Sequence, residues 1–67
     1  MIERVWSLAK DPEAPVHAVL DLQTDLSWCG SLPQERHKIR EGSANAVTCV
    51  SCLLAIKRDQ PSVRAAR

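Results

Sequence analysis

The sequence predicts a small α+β domain, in which a β-hairpin or a short three-stranded sheet precedes one C-terminal helix. Three observations predict this class: the chain has only 67 residues, it carries three cysteines and two histidines, and two of its cysteines stand three positions apart at residues 49–52. A chain this short buries only about 60% of its unfolded surface, so it needs additional stabilisation. Because disulfides, a metal or oligomerisation can supply it and the cysteine count is odd, a metal staple is favoured.

The first half of the chain predicts the hairpin. Residues 2–9 are apolar enough for a strand or a helical turn, and the two prolines within residues 10–15 end that element. Residues 16–20 are β-prone, a polar stretch follows, and residues 26–29 alternate before Gly30 ends the run. We therefore expect residues 16–20 and 26–29 to pair.

The second half predicts a short strand, a loop and the helix. Residues 37–40 form the possible strand and residues 43–45 the loop. The helix is expected over residues 49–59, with Thr48 as its N-cap and Pro61 closing it. Its apolar side chains at helical spacing are Val50, Leu53, Leu54 and Ile56. The domain organisation that follows is one zinc-binding domain over residues 1–60 and a basic tail over residues 61–67.

The cysteines and histidines are the candidate metal ligands. Cys49 and Cys52 fall in the first helical turn, where backbone N–H groups favour thiolates, and two sulfurs at this spacing can hold one Zn²⁺. Tetrahedral zinc takes four nitrogen or sulfur ligands, and Cys29 is the third. For the fourth we favour His17, across the hairpin from Cys29, with His37 as the alternative. The domain would thus resemble a zinc finger or zinc ribbon with one structural Zn²⁺.

These residues also resemble a known family. His17, Trp28-Cys29-Gly30 and the run from Val47 to Leu53 are similar to the pattern of small zinc-binding proteins of actinobacteria and their bacteriophages. That pattern is a histidine on a first strand, a Cys-Gly ending the second and a Val-Thr-Cys-x-x-Cys-Leu that opens a helix. The resemblance spans residues 17–53 and implies a zinc site made of His17, Cys29, Cys49 and Cys52. It assigns nothing to the N-terminal segment or the tail.

Two other interpretations of the cysteine pair stay open. Free cysteine often acts as a small buried hydrophobe, so Cys49 and Cys52 can simply face the core. A thioredoxin-like redox pair is the second alternative, but a βαβ context is absent from the pattern and the chain is short for that fold.

Charge is distributed unevenly along a chain whose formal net charge is +1. Residues 1–34 hold five acidic and two basic side chains, whereas residues 35–67 hold three acidic and seven basic ones. Such asymmetry is typical of a nucleic-acid surface or of a surface for an acidic protein, although a solvated basic face is the plainer explanation. The candidate phosphate contacts are Arg36, Lys38, Arg40, Lys57, Arg58, Arg64 and Arg67.

Four protein ligands would leave zinc no open position for water or substrate, so we expect a structural ion and no enzyme activity. The favoured function is a protein-interaction module, which the resemblance suggests is a phage or mobile-element protein that modulates a host or viral protein. A nucleic-acid-binding zinc finger is the alternative, and a small subunit of a larger assembly is a third possibility. No apolar h-region or membrane-length apolar run is present, so a cytoplasmic location is expected.

Overall fold

The computed structural model describes residues 2–61 and confirms the predicted class, with a four-stranded antiparallel sheet followed by one helix. Its elements in chain order are β1 (Arg4–Leu8), β2 (His17–Asp21), β3 (Leu26–Ser27), β4 (His37–Glu41), a 3₁₀ turn (Ala44–Ala46) and α1 (Val50–Arg58). The sheet has one strand more than the three-stranded alternative, and the expected loop at residues 43–45 overlaps the 3₁₀ turn.

The N-terminal segment is the centre of the sheet, whose strand order is β3-β2-β1-β4. β1 pairs with β2 on one side, where Trp6 lies opposite His17, and with β4 on the other, where Trp6 lies opposite Ile39. The sequence left a strand and a helical turn open for residues 2–9, and the structure has the strand, over Arg4–Leu8. The predicted strand at residues 37–40 pairs with β1, so β4 lies at the edge of the sheet.

The predicted hairpin is formed by β2 and β3, although β3 has only two residues. Val19 lies opposite Ser27, and the register shifts before the next pair, as in a β-bulge. Asp25 closes the connection with a left-handed backbone (φ 62°), and its N–H donates to the carbonyl oxygen of Asp21 at 2.7 Å. The side chain of Arg4 on β1 forms an ion pair with Asp25 at 2.9 Å.

The core lies between the sheet and the segment that leads into α1. Val5, Ala18, Val47, Cys49 and Cys52 form one buried cluster, and Val5, Ala18 and Cys52 are fully buried. Two of the three cysteines thus belong to the core as well as to the candidate site.

Both ends of α1 differ from the prediction. The N-cap is Cys49 and not Thr48, because the Thr48 hydroxyl instead accepts a hydrogen bond from the N–H of Val16 at 2.9 Å. The helix ends at Asp59, whose backbone is left-handed (φ 55°) and whose N–H bonds to carbonyls of the last turn. Pro61 therefore follows an end that is already complete.

The buried face of α1 also differs from the apolar pattern of the sequence. Cys52 and Ala55 are buried, whereas Val50, Leu53 and Leu54 are 68%, 40% and 47% exposed. Two small residues therefore form the buried side of α1, and its larger apolar side chains are left on the solvent side.

The predicted basic tail over residues 61–67 lies outside the described residues except for Pro61, so the boundary at residue 60 stays a prediction. Among residues 2–61, α1 does not have the length and apolarity that crossing a bilayer requires.

Candidate metal centre

Four side chains that carry nitrogen or sulfur donors converge at one end of the sheet. Single ligand atoms of His17, Cys29, Cys49 and Cys52 all lie within 4.8 Å of one another. The three cysteines are free thiols. Such a cluster can hold a metal ion.

Backbone hydrogen bonds hold the start of α1 beside the start of β2. The N–H groups of Thr48 and Cys49 both donate to the carbonyl oxygen of Val16, at 3.1 and 3.0 Å. Cys49 therefore lies next to His17, the first residue of β2, and Cys52 follows one helical turn later. This local pairing brings together residues that are more than thirty positions apart in the chain.

Cys29 is presented by a tight loop that joins Ser27 to Ser31. The N–H of Ser27 donates to the Ser31 carbonyl oxygen (2.9 Å), and the N–H of Ser31 donates to the Ser27 hydroxyl (2.9 Å). Gly30 adopts φ 90°, a conformation that side chains rarely tolerate, and its N–H donates to the Ser27 carbonyl at 3.0 Å. The Cys-Gly sequence therefore lets the chain turn back while the Cys29 thiol points into the cluster.

The distances within the cluster fit tetrahedral coordination. For metal bonds of about 2.3 Å to sulfur and about 2.0 Å to nitrogen, a tetrahedral centre separates a sulfur ligand from a nitrogen ligand by about 3.5 Å. The Nδ1 atom of His17 lies 3.4 Å from the Cys29 sulfur and 3.8 Å from the Cys52 sulfur. His17 thus offers Nδ1 as its ligand atom, at distances from the Cys29 and Cys52 sulfurs that suit one shared metal ion.

The metal-free site resists negative charge at its most buried thiol. Burial raises the pKa of Cys52 to about 12, and the neighbouring thiols of Cys29 and Cys49 add to the shift. Burial, followed by the charge of His37, lowers the pKa of His17 from its usual 6.5. A divalent cation would offset the charge that three thiolates accumulate, and His17 is already held in the neutral form that binds metals.

The pKa of Cys29 is shifted in the opposite direction to that of Cys52. Burial alone would raise the pKa of Cys29, but hydrogen bonds with Ser27, Ser31, Cys52 and Cys49 together outweigh it and lower that pKa. The Ser27 hydroxyl oxygen lies 3.1 Å and the Ser31 hydroxyl oxygen 3.6 Å from the Cys29 sulfur. Because hydroxyl groups stabilise a thiolate, these serines support Cys29 as a ligand.

The alternative ligand His37 lies outside the cluster. Its Nδ1 atom accepts a hydrogen bond from the Gln34 N–H at 2.8 Å, and its ring contacts Trp6 with centroids 4.7 Å apart. Trp6 also contacts His17, with centroids 4.4 Å apart. The structure therefore brings His17, and not His37, to the three cysteines.

The candidate phosphate contacts are found in two places. Arg36, Lys38 and Arg40 lie on or next to β4 and are exposed, whereas Lys57 and Arg58 form the last turn of α1. Arg64 and Arg67 lie outside the described residues.

Two supporting residues were not found by sequence reasoning. Ser27 and Trp6 are buried against Cys29 and His17, respectively. The flanking pattern Ser-x-Cys-Gly-Ser at residues 27–31 was a usable signal for the serines. The contact of Trp6 with His17 follows from strand register, which the residue types alone do not define.

Comparisons with protein-family models, with curated proteins and with solved structures find no match for this chain. The resemblance to small actinobacterial and phage zinc-binding proteins therefore stays a prediction.

Proposed function

We propose that this chain is a small non-catalytic protein that holds one structural Zn²⁺ and acts as a protein-interaction module. The observation that supports it most is the convergence of His17 Nδ1 with three cysteine sulfurs within 4.8 Å. Three sulfurs and one imidazole nitrogen are a ligand set that zinc prefers in structural sites, whereas magnesium and calcium prefer oxygen ligands.

The closed ligand set favours a structural role. Four protein ligands complete a tetrahedron, and a catalytic zinc keeps one position for water or substrate. The site also joins the starts of β2 and α1 to the Cys29 loop, so one ion would add a cross-link between these three parts of the chain. Zinc binding would then be coupled to folding.

The exposed face of α1 supports the interaction role. Val50, Leu53 and Leu54 stand at positions i, i+3 and i+4 of one helix, and all three are exposed. Exposed apolar residues that form a stripe are typical of protein-binding surfaces, and a helix of this pattern fits an apolar groove on another protein. By its resemblance the chain would be encoded by a phage or mobile element, and its partner would be a host or viral protein.

Nucleic-acid binding is the second candidate, because Lys38 and Arg40 lie exposed side by side on β4. Within residues 2–61, the one ion pair joins Arg4 to Asp25, so Lys38 and Arg40 have no carboxylate partner among these residues. Phosphate contacts make log K fall with log salt by about 0.9 per contact on duplex DNA, which distinguishes this candidate from a protein interface.

Native mass spectrometry of the purified protein, with and without a chelator, tests the metal. We expect one zinc per chain, and loss of the folded charge states when the chelator removes it. His17→Ala should lose zinc, whereas the matched His37→Ala variant should keep it, because it removes only the contact with Trp6 and the hydrogen bond from Gln34, both outside the cluster. A folded chain without zinc would overturn the structural-metal proposal.

The interaction role is tested with immobilised wild-type protein and a Leu54→Gln variant in cell extract. We expect the wild type to retain a defined protein in nuclease-treated extract at high salt, and the variant to lose it. Retention that nuclease or salt abolishes would support nucleic-acid binding instead.

A further inference from the structure

The outer edge of β4 carries backbone groups that do not pair within the sheet. The hydrogen bonds at the two ends of the β1–β4 ladder show which residues bond inward. Ala9 N–H donates to the Arg36 carbonyl oxygen (3.0 Å), and Gly42 N–H donates to the Glu3 carbonyl oxygen (3.3 Å). In an antiparallel ladder such hydrogen-bonded pairs alternate with pairs that do not exchange backbone bonds.

From this alternation, Lys38 and Arg40 bond inward to β1, whereas His37, Ile39 and Glu41 direct their N–H and carbonyl groups away from the sheet. The N–H of His37 is used in its own turn. The N–H groups of Ile39 and Glu41 remain at the edge with the outward carbonyl groups. This is the arrangement that an added strand requires.

The side chains of β4 define which strand can be added. Lys38 and Arg40 share one face, because alternate residues of a strand point to the same side. They line a cleft of about 230 Å³ together with Ser7, whose hydroxyl accepts a hydrogen bond from Arg40 Nη1 at 3.4 Å. Ile39, on the opposite face, is 41% exposed. An added strand would therefore meet two cations on one face and an apolar side chain on the other.

A second copy of this chain does not fit that edge. Antiparallel pairing of two β4 strands about Ile39 would set Lys38 opposite Arg40 twice, and like charges directly opposite each other are destabilising. The C-terminal residues of this chain are also basic, with Arg64 and Arg67. Charge complementarity therefore selects an acidic segment from a different molecule.

We propose that the outer edge of β4 binds an extended acidic segment of another protein, which joins the sheet as an additional antiparallel strand. Its pattern is acidic–apolar–acidic, with the acidic residues opposite Lys38 and Arg40 and the apolar one opposite Ile39. This proposal rests on the proposed function as an interaction module and gives the chemistry of a partner segment.

The test uses ¹⁵N-labelled, zinc-loaded full-length protein and a peptide with the sequence Thr-Glu-Val-Glu-Thr. We expect saturable NMR shifts at the amides of Ile39 and Glu41. Two matched peptides should bind weakly or not at all: Thr-Lys-Val-Lys-Thr, and the acidic peptide with an N-methylated valine, which loses the donor that faces Ile39. Absence of saturable shifts, or equal binding of the N-methylated peptide, would overturn the proposal.

Two variants separate charge from strand pairing. Lys38→Glu with Arg40→Glu should weaken the acidic peptide by on the order of tenfold or more and should allow the lysine peptide to bind. Ile39→Pro removes an outward N–H and no bond to β1, so it should abolish binding, whereas Ile39→Thr should retain it. Zinc content and a dispersed spectrum are checked on each sample, so failure of the metal site is distinguished from failure of the edge.

A single-stranded oligothymidylate probe covers the other class of partner. If it binds the β4 edge with a steep salt dependence, and Ile39→Pro does not weaken it, the edge is a phosphate-binding surface and the peptide proposal is wrong.

Discussion

The ring of Trp6 packs on the ring of His17, with centroids 4.4 Å apart and planes tilted by 33°. Trp6 is only 1% exposed, and its Nε1–H donates to the carbonyl oxygen of Asp25 at 2.9 Å. A rigid, buried ring therefore lies against the one imidazole of the candidate metal site. In metal sites, the groups that orient a ligand often matter nearly as much as the ligand itself.

We predict that Trp6 positions His17 for metal binding. Trp6→Leu should lower zinc affinity by about 10–100-fold, which is typical when a group that orients a ligand is lost. Trp6→Phe keeps an aromatic ring against His17 but loses the hydrogen bond to Asp25 and part of the buried ring area, so its zinc affinity should stay closer to the wild type. Competition with a chromophoric chelator measures both affinities. Equal zinc affinity of the two variants would show that Trp6 has only a packing role.

We predict that Ser27 supports the Cys29 loop far more than its size suggests. It is fully buried, its hydroxyl accepts a hydrogen bond from Ser31 N–H, and the same oxygen lies 3.1 Å from the Cys29 sulfur. Ser27→Ala removes two hydrogen bonds, each worth about 0.5–1.5 kcal/mol, and should destabilise the zinc-loaded protein by about 1–3 kcal/mol. Chemical denaturation of the zinc-loaded protein gives the difference.

Ser7→Ala is the matched control, because Ser7 is also buried but accepts only a long hydrogen bond, of 3.4 Å, from the exposed Arg40. It should cost about 0.5 kcal/mol or less, because a single long hydrogen bond to an exposed partner contributes little. Equal losses of unfolding free energy in the two serine variants would mean that the contact of Ser27 with Cys29 adds nothing to stability.

Zinc affinity is predicted to fall as the pH falls. Burial raises the pKa of the Cys52 thiol to about 12 in the metal-free protein, so zinc must displace a proton from it at neutral pH. Burial, with His37, lowers the pKa of His17 below 6.5, so the unfolded chain takes up that proton first. The contribution of neutral His17 to folding stability is then fully present above about pH 6.5, and it is lost as the pH falls toward the lower pKa of His17 in the folded protein.

Zinc transfer to a chelator, measured from about pH 8 to about pH 5 and corrected for the chelator's own protonation, checks this dependence. A protein that retains zinc equally across that range would contradict the assignment of Cys52 and His17 as ligands that must be deprotonated.

Much of the fold and of the candidate site was predictable because a few residues carry local sequence signals. A Cys-x-x-Cys pair before a helical pattern predicted the start of α1 to within one residue. The second strand of the hairpin was predicted at the right place but too long, because β3 ends at Ser27 and Gly30 belongs to the loop that follows. The prediction that His17 and Cys29 lie close together across a hairpin required only the two-residue period of a strand. These signals are local in the chain.

The features that the sequence did not predict depend on tertiary contacts. Thr48 is a good N-cap residue, but its hydroxyl bonds to Val16 across the site, so Cys49 takes the cap position. The apolar pattern of α1 indicated a buried face through Leu53 and Leu54, yet the buried residues of the helix are Cys52 and Ala55. Which face a short helix buries depends on the element that it meets, and this information is not in its own residues.

The solvent-facing side of α1 leads to the last prediction. Leu54 is 47% exposed and Ala55 is 2% exposed, although the two residues are neighbours in the same helix. Leu54→Gln should change the free energy of unfolding by about 0.5 kcal/mol or less, because the side chain already contacts water. Ala55→Gln should destabilise by about 1–3 kcal/mol, because a larger polar side chain is forced into a buried position.

Glutamine is a good helix former, so the two variants differ mainly in burial and not in helix propensity. Thermal or chemical unfolding of the zinc-loaded proteins measures both effects. If Leu54→Gln were as destabilising as Ala55→Gln, the stripe of Val50, Leu53 and Leu54 would be part of the folding core. If it is neutral, these three residues are available to bind a partner without loss of stability, and the capture experiment with Leu54→Gln then reports binding alone.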